Sequence, residues 1–233
     1  TNTTGSFTCD CDAGFTGDGT TLLTGLTTVL QSSASQWHSV SFTETIASPV
    51  VKMFAEDQGG SPFTLRVRNI TSSGFEFQID EYDYLDGLRL ESEGIAWIAV
   101  ASGSQTLPNG LRVDAGFVNA TDAASSAVSF GSSFSATPVV FSQVSSGNSS
   151  APILTRNASV ASTGFSVSMQ VEEADQPPSV GTESIGWIAM ASGGSVASNV
   201  LVSNGIDVDN SPTTEVYAGG PFAAAPIFIA DMQ

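Results

Sequence analysis

Two cysteines, one histidine and six basic residues are all that this chain of 233 residues holds of those side chains. Residues 20–233 have no cysteine, so disulfides cannot staple the bulk of the chain, and whatever folds there folds by burial. One histidine, His38, excludes a His-rich metal centre, and two cysteines alone do not make a zinc site. No Gly-x-Ser-x-Gly elbow, phosphate loop or dinucleotide fingerprint is present, and no carboxylate pair is singled out for glycoside hydrolysis. The expectation is a protein that is not an enzyme. With 6 basic against 23 acidic residues the net charge is −17. Such a chain repels phosphate backbones and anionic membrane surfaces, which argues against nucleic acid as a partner. Apolar runs stop short of the roughly 18 residues that cross a bilayer, so no membrane insertion is expected in this segment. Long runs of strong helix formers are scarce as well, which disfavours a helical fold.

What is present is a set of short apolar runs rich in Val, Ile, Thr and Phe, within a composition that is 41% hydrophobic. They recur. Trp97-Ile98-Ala99-Val100-Ala101-Ser102-Gly103 returns as Trp187-Ile188-Ala189-Met190-Ala191-Ser192-Gly193, an offset of 90. Gly74-Phe75, Glu93, Ile95 and Arg66 return at the same offset as Gly164-Phe165, Glu183, Ile185 and Arg156. Pro49-Val50-Val51 returns as Pro138-Val139-Val140, and Pro226-Ile227-Phe228 opens the element a third time. Within a repeat the alternation has period two: Phe63, Leu65 and Val67 face one way, Thr64, Arg66 and Arg68 the other. The Trp runs are apolar on both faces, as central strands are. Each proline stands at a strand start, where a missing donor does least harm. The pattern predicts an all-β protein of two tandem antiparallel β-sandwich units, 22–104 and 108–194, followed by the start of a third at 199–233.

Residues 2–19, Asn-Thr-Thr-Gly-Ser-Phe-Thr-Cys-Asp-Cys-Asp-Ala-Gly-Phe-Thr-Gly-Asp-Gly, resemble the second half of an epidermal-growth-factor-like (EGF-like) module of the calcium-binding kind, which assigns 1–21 to that module. The resemblance implies six cysteines, with Cys9 pairing upstream of Thr1 and Cys11 pairing near position 22, where Leu22 stands. A direct Cys9–Cys11 bond would strain disulfide geometry. The resemblance also implies calcium as a cofactor, ligated in part by Asn2. Such modules belong to oxidising compartments, so an extracellular or cell-surface location is expected. Because the module opens in mid-motif and the third unit is short, the chain is expected to be part of a longer polypeptide, or to be completed by strands from another molecule.

The two repeats resemble the H-type lectin fold, a six-stranded antiparallel sandwich. In the first the resemblance is carried by Pro49-Val50-Val51, Leu65-Arg66-Val67, Thr71-Ser72-Ser73-Gly74-Phe75 and Ala96-Trp97-Ile98-Ala99. In the second it is carried by Pro138-Val139-Val140, Arg156, Ser162-Thr163-Gly164-Phe165 and Gly186-Trp187-Ile188-Ala189. It implies sugar binding of the galactose or N-acetylgalactosamine type between protomers of a trimer, through an Arg matched by Arg66 and Arg156. The family also uses an aromatic and a His on the loop before the Trp strand. Here that loop supplies Tyr82 and Tyr84 in the first repeat and no His in either.

Each candidate has two readings. Arg66 and Arg156 present planar paired donors that could fork onto a ligand, or neutralise the acidic loop of their own or a neighbouring unit as exposed pairs. The acidic loops at 80–86 and 172–175 could offer hard oxygens to calcium, or form a solvated rim. Asn69-Ile-Thr, Asn119-Ala-Thr, Asn148-Ser-Ser and Asn157-Ala-Ser are N-glycosylation sequons, expected near turns or strand ends where a glycan is solvated, and Asn2-Thr-Thr is a fifth. The combined expectation is a structural or adhesive extracellular glycoprotein whose units build a fibre, hair or matrix with other copies of the same chain. The alternative is a lectin that reads glycans.

Overall fold

Alternating apolar residues on short runs need two sheets to close over one another, and that is what forms. In the computed structural model, residues 21–56, 60–89, 91–172, 180–195, 200–203 and 226–231 are described. Every regular element among them is a strand. Asn2, Cys9, Cys11 and the rest of the EGF-like stretch lie outside the described residues, as do 204–225 of the third repeat.

The first repeat contributes β1 (Leu22–Val29), β2 (His38–Ser41), β3 (Pro49–Glu56), β4 (Phe63–Thr71), β5 (Gly74–Glu81) and β6 (Glu93–Ala101). They form two antiparallel sheets, β1-β6-β3 and β2-β5-β4. The second contributes β7 (Gly103–Thr106), β8 (Arg112–Ala120), β9 (Ser126–Ser129), β10 (Val139–Val144), β11 (Ile153–Ala161), β12 (Gly164–Val171) and β13 (Glu183–Met190). Its sheets are β10-β13-β8-β7 and β11-β12-β9. A hairpin of β14 (Gly193–Ser195) and β15 (Val200–Val202) follows. Because β7 pairs with β8, residues 103 and 104 belong to the sheet of the second repeat.

The Trp strands β6 and β13 are central in their sheets, as their two-sided apolarity predicts. Trp97 lies opposite Gly25 of β1, and Trp187 opposite Gly116 of β8. A Cβ on Gly25 would fall 2.4 Å from the Trp97 ring, and one on Gly116 2.9 Å from that of Trp187. The glycines are thus the floor on which each indole rests. Around Trp97 gather Phe42 and Phe75, with ring centroids 5.7 and 5.8 Å away. Around Trp187 gather Phe130 and Phe165, at 6.0 and 5.9 Å. Both repeats also carry a bulge late in an equivalent strand, in β4 between Arg68 and Thr71 and in β11 between Ala158 and Ala161. The left-handed residues Asn69 and Ser159 sit in these bulges.

Each sandwich has its own core. Met53, Val67, Phe77, Ile79, Ile95 and Trp97 fill the first, and Val140, Ile153, Phe165, Val167, Ile185 and Trp187 the second. A third core lies between the repeats. Val50, Ile98 and Val100 project from the far side of the β1-β6-β3 sheet against Val113, Ala115, Val139, Phe141, Ile188 and Met190 of the other repeat, with Val202 and Ile229 at its margin. The two sandwiches therefore stack sheet on sheet. This buries faces expected to be wet: Thr64 and Arg66, on the polar side of β4, are each only 3% exposed.

Candidate functional site

The junction between the repeats brings together most of the residues that the sequence singles out. The second sandwich covers the polar face of β4, so the Arg66 guanidinium is enclosed. It donates to Asp80 Oδ2 at 3.4 Å and to the carbonyls of Ala151 and Ser149. It also lies 3.7 Å from Glu183 Oε1. Glu183 is fully buried and accepts from Ser146 Oγ, from Asn148 N and from Ser149 N. Burial pushes Asp80 up to about 6; the Arg66 charge beside it works the other way, and Asp83 and Glu172 add a little to the rise. Arg66 is thus enclosed as the counter-ion of the buried Glu183 and the partly buried Asp80 and is not presented to a sugar, and the pair expected to be exposed is interior.

Arg66 serves Glu183 for a reason visible in the charge count. The matching carboxylate of the first repeat, Glu93, is neutralised within that repeat by Arg89, which also reaches Glu81 at 3.4 Å and lies over the Phe63 ring at 4.5 Å. No basic residue follows Arg156 in the sequence, so Glu183 has no cation from its own loop and takes one from the first repeat. The Arg89–Glu93–Glu81 cluster is absent from the sequence reading. Its signal was the recurrence of an acid, Glu93 and Glu183, at the mouth of an otherwise apolar strand.

Arg156 sits differently. With Tyr82 and Tyr84 from the loop of the first repeat, and Leu154, Gln170, Val171 and Glu172 from the second, it lines a cleft of about 310 Å³. The two tyrosine rings meet edge to face at 6.2 Å, and Arg156 Nε donates to Gln170 Oε1 at 2.5 Å. Tyr84 is 55% exposed, so an aromatic face is open to solvent. The loop is held across the junction by the Asp83 amide donating to Glu172 Oε2 at 3.1 Å. An aromatic face beside a guanidinium, a carboxamide and a carboxylate is the chemistry that grips a polyol: apolar stacking for the ring, paired donors and acceptors for its hydroxyls. Of the four residues proposed for sugar, the fold brings three together and removes Arg66.

The acidic loop of the first repeat is tied up locally, Asp80 with Arg66 and Glu81 with Arg89. Among the described residues no group of three or more His, Cys, Asp or Glu side chains is placed to hold a metal ion. Asn2, the residue implied for calcium, lies outside the described residues, as do positions 173–175 of the second acidic loop. Of the sequons, Asn69, Asn119 and Asn148 are exposed. Asn157 is not. It stands in mid-strand on β11, is 6% exposed, and donates through Nδ2 to Val140 O at 3.2 Å. The expectation of a solvated strand end fails there because Asn157 occupies the inward position that Val67 holds in the first repeat.

Fold and junction together define an all-β protein of stacked antiparallel sandwiches with a cleft at their seam. No family model and no solved structure matches the chain. Among curated proteins it is similar to halomucin of Haloquadratum walsbyi, with 30% identity over 174 residues, covering 72% of this chain and 2% of that protein. The chain thus spans about 2% of the length of the curated relative it matches.

Proposed function

We propose that this chain is a segment of a structural or adhesive extracellular glycoprotein, in which H-type-lectin-like sandwiches follow an EGF-like module and serve as building blocks for assembly with other copies. The observation that carries the reading is the third core: the repeats bury apolar faces against each other and so act as a block. Similarity to a protein named halomucin, three exposed sequons and a net charge of −17 support an extracellular, glycosylated setting. The reading contains no catalytic step. Electron microscopy of native material tests it. Copies joined into filaments or a matrix are expected, and particles that stay single at every concentration would count against it.

The cleft at the seam supports a second reading, recognition of glycans of the galactose or N-acetylgalactosamine type. Stacking on Tyr84 or Tyr82 and forked bonds from Arg156 would give the contacts. Its test is a glycan array with the full chain. Binding that disappears in Arg156→Ala and Tyr82→Ala, with the fold intact by circular dichroism, supports it; no glycan retained by the unaltered chain overturns it.

A further inference from the structure

Lys52 is the sole lysine of the chain, and the fold does not place it on the surface. It stands on β3 with its side chain only 11% exposed. Its Nζ lies 3.0 Å from Oδ2 of Asp231, a residue 179 positions further on whose side chain is 10% exposed. The other ion pairs among the described residues are made by arginine, whose delocalised guanidinium stays charged and is a poor nucleophile. A lysine amine is a nucleophile once it gives up a proton.

One residue holds both partners. Ser142 lies on β10, an edge strand of its sheet. Its N–H donates to Asp231 Oδ2 at 2.7 Å, and its carbonyl accepts from Lys52 Nζ at 3.0 Å. Beside the pair Phe54, two residues on from Lys52, meets Phe228 edge to face at 5.5 Å. Amine and carboxyl are thus fixed in contact and largely away from water. In solution an ammonium and a carboxylate do not condense, because hydration stabilises the two ions. A dry site removes much of that stabilisation and favours a neutral product over a buried charge pair. Fixed contact also turns a rare encounter into a unimolecular step.

We infer that Lys52 and Asp231 are the partners of an intramolecular isopeptide cross-link, formed by the folded chain itself. A proton passes from the ammonium to the carboxylate along the hydrogen bond that joins them. The freed lone pair of Nζ attacks Asp231 Cγ, and the Ser142 N–H steadies the negative oxygen that develops. The new N–C bond replaces one C–O bond. That oxygen leaves as water with two protons taken from the nitrogen, and nothing is oxidised or reduced. The amide keeps its remaining N–H for the Ser142 carbonyl and its oxygen for the Ser142 N–H. Such a link ties β3 to the 226–231 segment, so tension on the chain cannot draw out residues 53–230. The assignment is independent of whether the chain assembles with other copies or binds glycans.

An acylated lysine is no longer cut by trypsin, so peptide mapping of the full chain tests the claim. The chain is denatured, reduced, freed of N-glycans and digested, and the fragments are weighed by mass spectrometry. Expected is peptide 1–66, uncut after Lys52, joined to peptide 157–233, with a combined mass short by one water. Fragmentation of that species should place the link at Lys52 and Asp231. Complete cleavage after Lys52, with 157–233 recovered free, would overturn the inference. In Asp231→Ala cleavage after Lys52 should be restored and both peptides should run free. A linked species that persists in this variant would overturn the choice of Asp231.

Discussion

Replacing Arg66 by Met keeps most of the volume of its stem and removes its charge. The guanidinium is 4% exposed and stands between Glu183, 0% exposed, and Asp80, 15% exposed. Taking away one partner of a buried ion pair leaves an uncompensated charge in a poorly solvated site, which costs about 3–5 kcal/mol. Glu183 keeps its three donors, Ser146 Oγ and the amides of Asn148 and Ser149, so the low end, about 3 kcal/mol, is expected. With a urea slope of about 2 kcal/mol/M this lowers the unfolding midpoint by about 1.5 M. Arg156→Met is the control. Arg156 is half-buried and bonds to Gln170, so its loss should cost about 1 kcal/mol or less. The assay is urea unfolding at neutral pH, followed by tryptophan fluorescence. Adding Glu183→Gln to Arg66→Met should recover part of the loss, because the stranded charge is then gone. Equal costs for the two arginines, or no recovery in the double variant, would refute the view that Arg66 is an interior counter-ion and not a surface ligand.

Further outcomes follow from the same geometry. Gly25→Ala drives a methyl into the Trp97 indole, at 2.4 Å, and should cost about 1–3 kcal/mol as overpacking does, whereas Gly116→Ala, at 2.9 Å, should cost less; both are checked by thermal unfolding. Asp80 takes its proton at about 6 in the fold against 3.8 ordinarily, so the folded state binds a proton first as pH falls. Its contribution to stability therefore rises from pH 6 down to about 4 and levels off below, and Asp80→Asn should flatten that segment of the stability–pH curve relative to the unaltered chain. Glycopeptide mapping of native material should find sugar at Asn69, Asn119 and Asn148 and none at Asn157; a fully occupied Asn157 would contradict its burial against Val140.

Much of a single repeat was legible because it depends on local alternation. Phe75, Phe77 and Ile79 are buried as their spacing demands, and Pro49 and Pro138 stand at or next to strand starts. The recurrence of Trp97 as Trp187 located the central strands. What alternation cannot give is the fate of the second face. A period-two pattern says that Thr64 and Arg66 oppose Phe63 and Leu65, but not whether water or another sandwich covers them. The clue was Ile98, Val100, Ile188 and Met190, apolar on the side their own sandwich leaves open. A central position in the sheet explains paired backbone edges but not two dry faces, which require a further layer. The same layer explains why Arg66 is buried and why Tyr82 and Tyr84 meet Arg156 across a seam, a juxtaposition of residues more than 70 positions apart that no local spacing encodes.

The two sandwiches share a core. Small-angle X-ray scattering of the full chain measures this directly. Stacked repeats should give a single-peaked pair-distance distribution and a radius of gyration of about 18 Å, the value expected of one compact body of this length. A distribution with two resolved maxima, and a radius well above that, would mean separate beads on a tether and would contradict the account.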